Sequence, residues 1–354
     1  MGGVSLLGVT TSSRILTRVI GLATAGALAL TLAACSGGSS SNPSDPAYTS
    51  NYKTPAPVAY APLTGVALAA GTTVGPALSV KICNVFACEP QDGLNQADVV
   101  FEEIVEGGIT RYVGIWNATV PVSVGPVRSL RPMDADIAAP FGGIIAYSGY
   151  GAQETRDLAV DTGLVNVTEN DPAMYRNDYN VAPYNLMLHA QEVIAANPGL
   201  APPAQQWAYS ATLASSTAAQ DGTPASAVQS IFSNQSDNTW TYDAGSGRYL
   251  RTQWEAADVD LTGAQLSAAN IIVMRVNVDE FVGVPRTRMV DSGEAFVLSG
   301  GKVVHGTWSK ASTAAPIQFK ADNGVTIRLA PGNSWIEMVP NESYVPGGSV
   351  TITP

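Results

Sequence analysis

Two arginines three residues apart on a Gly/Pro-stiffened segment are the strongest chemical signal in this sequence. The segment reads Gly125-Pro126-Val127-Arg128-Ser129-Leu130-Arg131-Pro132-Met133-Asp134-Ala135-Asp136. Proline fixes its own φ and keeps the preceding residue extended, so the run is expected to be a rigid loop. Arginines at i and i+3 on such a loop can point the same way and clamp a carboxylate or phosphate with paired N–H donors. Glu102, Glu103 and Glu106 lie shortly upstream, followed by Arg111. They open a second reading, in which Arg128 and Arg131 pair with those glutamates and pin the loop to a sheet, because buried arginines take carboxylate partners. Glu106, Arg111, Arg128, Arg131 and Asp134 are the ligand-binding candidates in this part of the chain.

A second polar run, Met174-Tyr175-Arg176-Asn177-Asp178-Tyr179-Asn180, leads to Ala182-Pro183-Tyr184-Asn185-Leu186. Tyr175, Arg176 and Asn185 join the candidates, since tyrosine faces beside amides and an acid suit a carbohydrate-like ligand. The plainer role for Asn185 is the N-cap of a helix starting at Leu186. Glycoside cleavage would need two carboxyls about 5 Å or about 6.5–9.5 Å apart. Glu102, Glu103, Glu106, Asp134, Asp136 and Glu154 could supply them. No Gly-x-Ser-x-Gly elbow, P-loop or His-Glu-x-x-His run occurs. The two histidines, His189 and His305, leave few ways to build a serine triad, and His305 falls on a predicted hairpin strand at the surface. With no paired Cys-x-x-Cys or His-x-x-x-His spacing, neither a metal nor a cofactor is expected.

The elements that must position these residues fall into two regions. Residues 63–224 read as a mixed α/β domain. Strands are expected at Leu78–Ile82, Ala97–Val105, Ile109–Trp116 and Gly143–Tyr147, with helices at Gln153–Val160 and Leu186–Ala196. Glu106-Gly107-Gly108 should turn the second strand into the third. Residues 225–354 read as a β-rich domain of many short strands, a sandwich or open barrel, with a hairpin at Gly300-Gly301. The expected class is therefore α+β.

Upstream, Arg14 and Arg18 precede an apolar stretch, Val19 to Leu32, that ends in Leu32-Ala33-Ala34-Cys35. A basic start, an apolar middle and small residues before a cysteine make a lipoprotein signal over residues 1–34, with lipid attached at Cys35. Residues 35–62, rich in Ser, Pro and Thr, read as a flexible tether. The expected location is the extracytoplasmic face of the cell membrane. Of three cysteines, Cys83 and Cys88 remain as an even pair in an oxidising compartment, which reads as a disulfide. The formal charge is −11, and loss of Arg14 and Arg18 with the signal takes it to −13. Such an acidic chain argues against nucleic acid as a partner.

Several runs resemble the YerB-like lipoproteins, a bacterial family without an established biochemical function. They are Gln91-Asp92-Gly93-Leu94-Asn95-Gln96-Ala97-Asp98, Val105-Glu106-Gly107-Gly108-Ile109-Thr110-Arg111 and Gly125-Pro126-Val127-Arg128-Ser129-Leu130-Arg131-Pro132. Ala182-Pro183-Tyr184-Asn185-Leu186 is similar, with Tyr184 where the family more usually has histidine. Asn270-Ile271-Ile272-Val273 and Pro331-Gly332-Asn333-Ser334-Trp335-Ile336 look like its C-terminal domain. The resemblance implies a lipid-anchored protein of two domains and no particular reaction. The expected role is binding of an anionic or carbohydrate-like envelope ligand, or of a partner protein. The alternatives are a cell-wall hydrolase using paired carboxylates and a structural accessory subunit of an envelope complex.

Overall fold

The computed structural model of the chain describes residues 58–341 and 348–354. The signal segment, Cys35 and most of the tether lie outside them. Residues Ala56–Pro354 form one compact unit with its own core. Leu63 is fully buried.

The strands that matter are β1 (Leu78–Asn84), β2 (Val99–Ile104), β3 (Thr110–Trp116), β4 (Ile144–Ala146), β5 (Val165–Val167), β6 (Ala227–Ser233), β7 (Ser236–Asp243), β8 (Arg248–Gln253), β9 (Asn270–Val276), β10 (Ser292–Ser299), β11 (Lys302–Ser309), β12 (Gln318–Ala321), β13 (Ser334–Pro340) and β14 (Ser349–Thr353). One mixed sheet runs β12-β11-β10-β9-β13-β2-β3-β1-β4-β5. A smaller sheet includes β8-β7-β6-β14 in that order.

The C-terminal strands thus do not close into the separate sandwich or barrel expected of them. Strand β13 lies parallel to β9 on one side and to β2 on the other, so strands of both sequence regions share one sheet. The smaller sheet packs on a face of the large one, where Trp240 meets Trp335 at 5.0 Å between ring centroids. The reason is in the strands themselves. Strands β1, β2, β3 and β13 are buried along their whole length. A strand covered on both faces reads as a near-continuous apolar run, and every charge in it needs a partner.

Local signals that depend only on sequence neighbours are met. β2 and β3 form the predicted hairpin, turned through Gly107 and Gly108 at positive φ. Gly300 and Gly301, at φ 62° and 74°, make the two-residue turn between β10 and β11. The predicted helix over Leu186–Ala196 is corrected. Leu186–His189 is a strand paired with Met174–Arg176 and Ser123–Val124, and the helix covers only Ala190–Ala196. Asn185 therefore caps no helix.

His305 stands on β11 with 45 % of its side chain exposed. Its Nδ1 is 2.8 Å from both Asp322 oxygens, and its Nε2 is 3.0 Å from Glu294 Oε1. The hydrogen bonds to Asp322 and then Glu294 raise its pKa. Their contribution is complete below the unfolded value of about 6.5 and is lost as pH climbs through the folded value. An NMR titration of the imidazole is expected to give a pKa above that of free histidine, and Asp322→Asn should bring it back down. A wild-type value at or below about 6.5 would contradict this.

Candidate anion-binding site

Strand pleating sorts the charges of β1–β3 onto two faces. Side chains alternate with period two, so neighbours in sequence point apart and partners in register point together. Glu103, Arg111 and Cys83 are in register across β2, β3 and β1, and Lys81 follows two residues before Cys83 on the same face. Glu102, Tyr112 and Glu337 share the opposite face, under the smaller sheet.

On the first face, Lys81 Nζ is fully buried and donates to Glu103 and to Asp134 Oδ1, the latter at 2.8 Å. Asp134 opens the short helix α1 (Asp134–Ala138), and its Oδ2 accepts the Arg131 backbone N–H at 2.6 Å. One ammonium faces two carboxyls here. Burial, then the charge of Asp134, push Glu103 up to about 8 despite Lys81.

The Gly125–Arg131 segment is extended, as its prolines require. Cys83 N–H donates to Pro126 O, Arg128 N–H to Lys81 O, and Leu130 N–H to Gly149 O. That backbone zipper lays the loop along β1 and brings Arg111, Arg128 and Arg131 together. Arg131 is satisfied: its Nε and Nη2 reach Glu106 Oε2 at 2.8 and 2.7 Å. Burial tends to raise Glu106, but the Arg131 hydrogen bond and charge prevail and hold it below the usual carboxylate value.

Arg111 and Arg128 differ from Arg131. Among the described residues neither has a carboxylate within ion-pair distance. Arg111 Nη1 donates to Ser129 O at 2.9 Å. Arg128 Nη1 donates to Pro183 O at 3.1 Å, its guanidinium lies 5.0 Å from the Tyr184 ring centroid, and its buried Nε has no hydrogen-bond partner. Burial, then the charges of Arg131 and Arg128, lower Arg111 to about 10. Arg128 is lowered as well, first by burial. Both line a cavity of about 50 Å³ with Cys83, Asn84, Thr110 and Tyr184. That volume holds a few waters or one carboxylate- or phosphate-sized group. Guanidinium N–H donors around such a space select an anion.

The remaining candidates lie elsewhere or satisfy one another. Tyr175 stacks on His189 at 4.1 Å and bonds Ser123 Oγ at 2.7 Å. Arg176 donates to Asn185 Oδ1, and Asn185 donates to Asn177 O. Of the six acids considered for glycoside cleavage, Glu102, Glu103 and Asp134 are buried and bonded, and Glu106 holds Arg131. Asp136 borders a different groove and Glu154 is exposed on the helix Gln153–Asp161. Cys83 and Cys88 are joined by a disulfide beside the cavity.

Sequence reasoning overlooked Lys81 and Arg251. The signal was present for Lys81, a lone cation between Val80 and Ile82, whereas Arg251 shares its strand with Arg248 and did not stand out.

Residues 63–201 match the family model described as "Protein of unknown function (DUF3048) N-terminal domain". Residues 227–336 match that of the DUF3048 C-terminal domain. The chain is 24% identical over 297 residues to "Putative lipoprotein YerB" of Bacillus subtilis (strain 168), covering 79% of this chain and 86% of that one. The crystal structure of the Bacillus subtilis YerB protein matches with a TM-score of 0.72 at 22% identity, over 84% of this chain and 100% of the other. No helix among the described residues is long and apolar enough to cross a membrane.

Proposed function

Because the chain belongs to the DUF3048 family and carries both of its domains in order, we propose that it is a lipid-anchored protein of the extracytoplasmic membrane face that binds an anionic group at Arg111 and Arg128. The observation that carries the binding role is the contrast among three adjacent arginines. Arg131 is neutralised by Glu106, while Arg111 and Arg128 line a cavity and, among the described residues, have no carboxylate within ion-pair distance. A buried and a half-buried guanidinium with no carboxylate at ion-pair distance are costly to desolvate unless a ligand supplies the counter-charge. The anchor is supported by Leu32-Ala33-Ala34-Cys35 and by the lipoprotein description of the Bacillus relative.

Calorimetry with acetate and inorganic phosphate tests the site. Arg128→Gln is expected to weaken binding roughly 10–100-fold, as befits hydrogen bonds to a charged group. A variant that binds both anions like the parent, or a parent that binds neither, overturns the role. Incorporation of a labelled fatty acid tests the anchor: Cys35→Ser should abolish it.

A further inference from the structure

The disulfide loop that walls the cavity also carries an exposed aromatic side chain. Phe86 lies between Cys83 and Cys88 and is 79 % exposed. It meets Trp254, 37 % exposed, edge to face at 6.2 Å. Trp254 sits at φ 49° in the turn after β8, directly beyond Gln253. Gln253 and the cavity residue Asn84 exchange two hydrogen bonds, at 3.1 and 2.9 Å, which fixes that turn to the cavity wall. On another side Asn180 donates to Ala87 O, tying the disulfide loop to the 177–184 loop. The latter carries Val181, 80 % exposed, and Tyr184 over Arg128. The loops tied to the border of the cavity that Arg111 and Arg128 line therefore carry apolar side chains exposed to solvent. A large exposed aromatic is ordinary alone, but a rigidly mounted group of them beside a charged cavity marks a contact surface.

We infer that this surface takes the free C-terminus of a peptide, its carboxylate between Arg111 and Arg128 and its last apolar side chains against Phe86, Trp254 and Val181. This deepens the anion-binding reading and rests on it. The cavity admits one small anionic group and no more. The body is strongly acidic, so polyanions and anionic lipid surfaces are repelled, whereas a single carboxylate on an apolar chain is not.

Trp254 supplies the readout. The other five tryptophans are at least nine-tenths buried, so acrylamide reaches Trp254 preferentially. The probes are a short acetylated peptide ending in Phe-Ala with a free carboxylate, its C-terminal amide, sodium acetate, and phosphatidylglycerol vesicles. They are added to the compact unit beginning at Ala56. The free-acid peptide is expected to shield Trp254 and to bind at least about tenfold tighter than both amide and acetate. Arg128→Gln should erase the difference between acid and amide. The double replacement Phe86→Ser, Trp254→Ser, read by calorimetry, should bring the peptide down to the affinity of acetate. Neither side chain belongs to the buried core, and an unchanged melting curve verifies the fold.

Acetate bound through Arg128 with no gain for the peptide overturns this inference and leaves the anion site standing. Equal binding of acid and amide, or binding of vesicles in place of peptide, overturns it too. Failure of acetate, phosphate and peptide alike removes both readings.

Discussion

Arg251→Met is expected to destabilise the folded body by about 3–5 kcal/mol, the largest effect of any single replacement considered. Arg251 is fully buried beneath the smaller sheet. Its Nη2 donates to Glu102 Oε2 at 2.7 Å and its Nη1 to Asp258. Asn238 bridges Glu102 and Glu337 at 3.1 and 3.2 Å, and Glu337 accepts from Trp240 Nε1 at 2.6 Å. The guanidinium lies 5.5, 5.5 and 6.0 Å from the ring centroids of Tyr112, Trp335 and Trp240. Methionine fills similar space and keeps the aromatic packing. It leaves the buried carboxyls of Glu102 and Asp258 with no cation, and an uncompensated buried charge is what makes breaking such a pair expensive. Glu102 lies in the N-terminal family match, while Arg251 and Asp258 lie in the C-terminal one, so the cost falls on the joint between the two regions. Adding Glu102→Gln to Arg251→Met should recover part of the loss, since the amide needs no counter-charge. Urea denaturation of the unit beginning at Ala56 measures both. A loss under about 1 kcal/mol for Arg251→Met would sink the argument.

The same body should be more stable at pH 5 than at pH 8. Glu103 is pushed up to about 8, Glu89 to about 7 and Asp98 to about 6, in each case chiefly by burial. Glu337 is raised well above its usual value, again by burial, then by the charge of Glu102. Unfolded, these groups titrate near about 4. Between about 4 and about 8 the folded state therefore holds protons that the unfolded chain has released, and stability falls as pH rises. Glu106, Asp279 and Asp291 are lowered, so their contribution has the opposite sign and is lost only as pH falls through the acid range below about 4. Glu103→Gln removes one of the titrating protons and keeps the shape, and it should narrow the gap between pH 5 and pH 8. Denaturation midpoints that are level or rising across that interval would show that these acids are not held protonated in the fold.

How much of this was legible beforehand depended on how far apart the interacting residues lie. The β2–β3 hairpin, the turn at Gly300-Gly301 and the stiff loop at Gly125-Pro126 are written in adjacent residues, because turn geometry and proline restraint act locally. The Leu186–Ala196 run was misread because its apolar spacing suits a helix, and only pairing with Ser123–Val124 and Met174–Arg176 draws Leu186–His189 into a strand. Arg128 and Arg131 look equivalent in sequence. Glu106 neutralises one and leaves the other facing a cavity, a choice made by strand register and by the zipper of the loop onto β1.

A charge in an apolar strand announces that it must be paired, since desolvation penalises it wherever it is buried. Its partner is a matter of sheet order. Glu102 meets Glu337 because β13 slots between β9 and β2, a parallel pairing that no local pattern encodes, and meets Arg251 because the smaller sheet packs over that face. Composition and periodicity thus determined most of the elements, their class and the rigid arginine loop. Long-range strand pairing decided which charges cancel and which two line a cavity without an ion-pair partner, because electrostatic partnership is a property of distance in space.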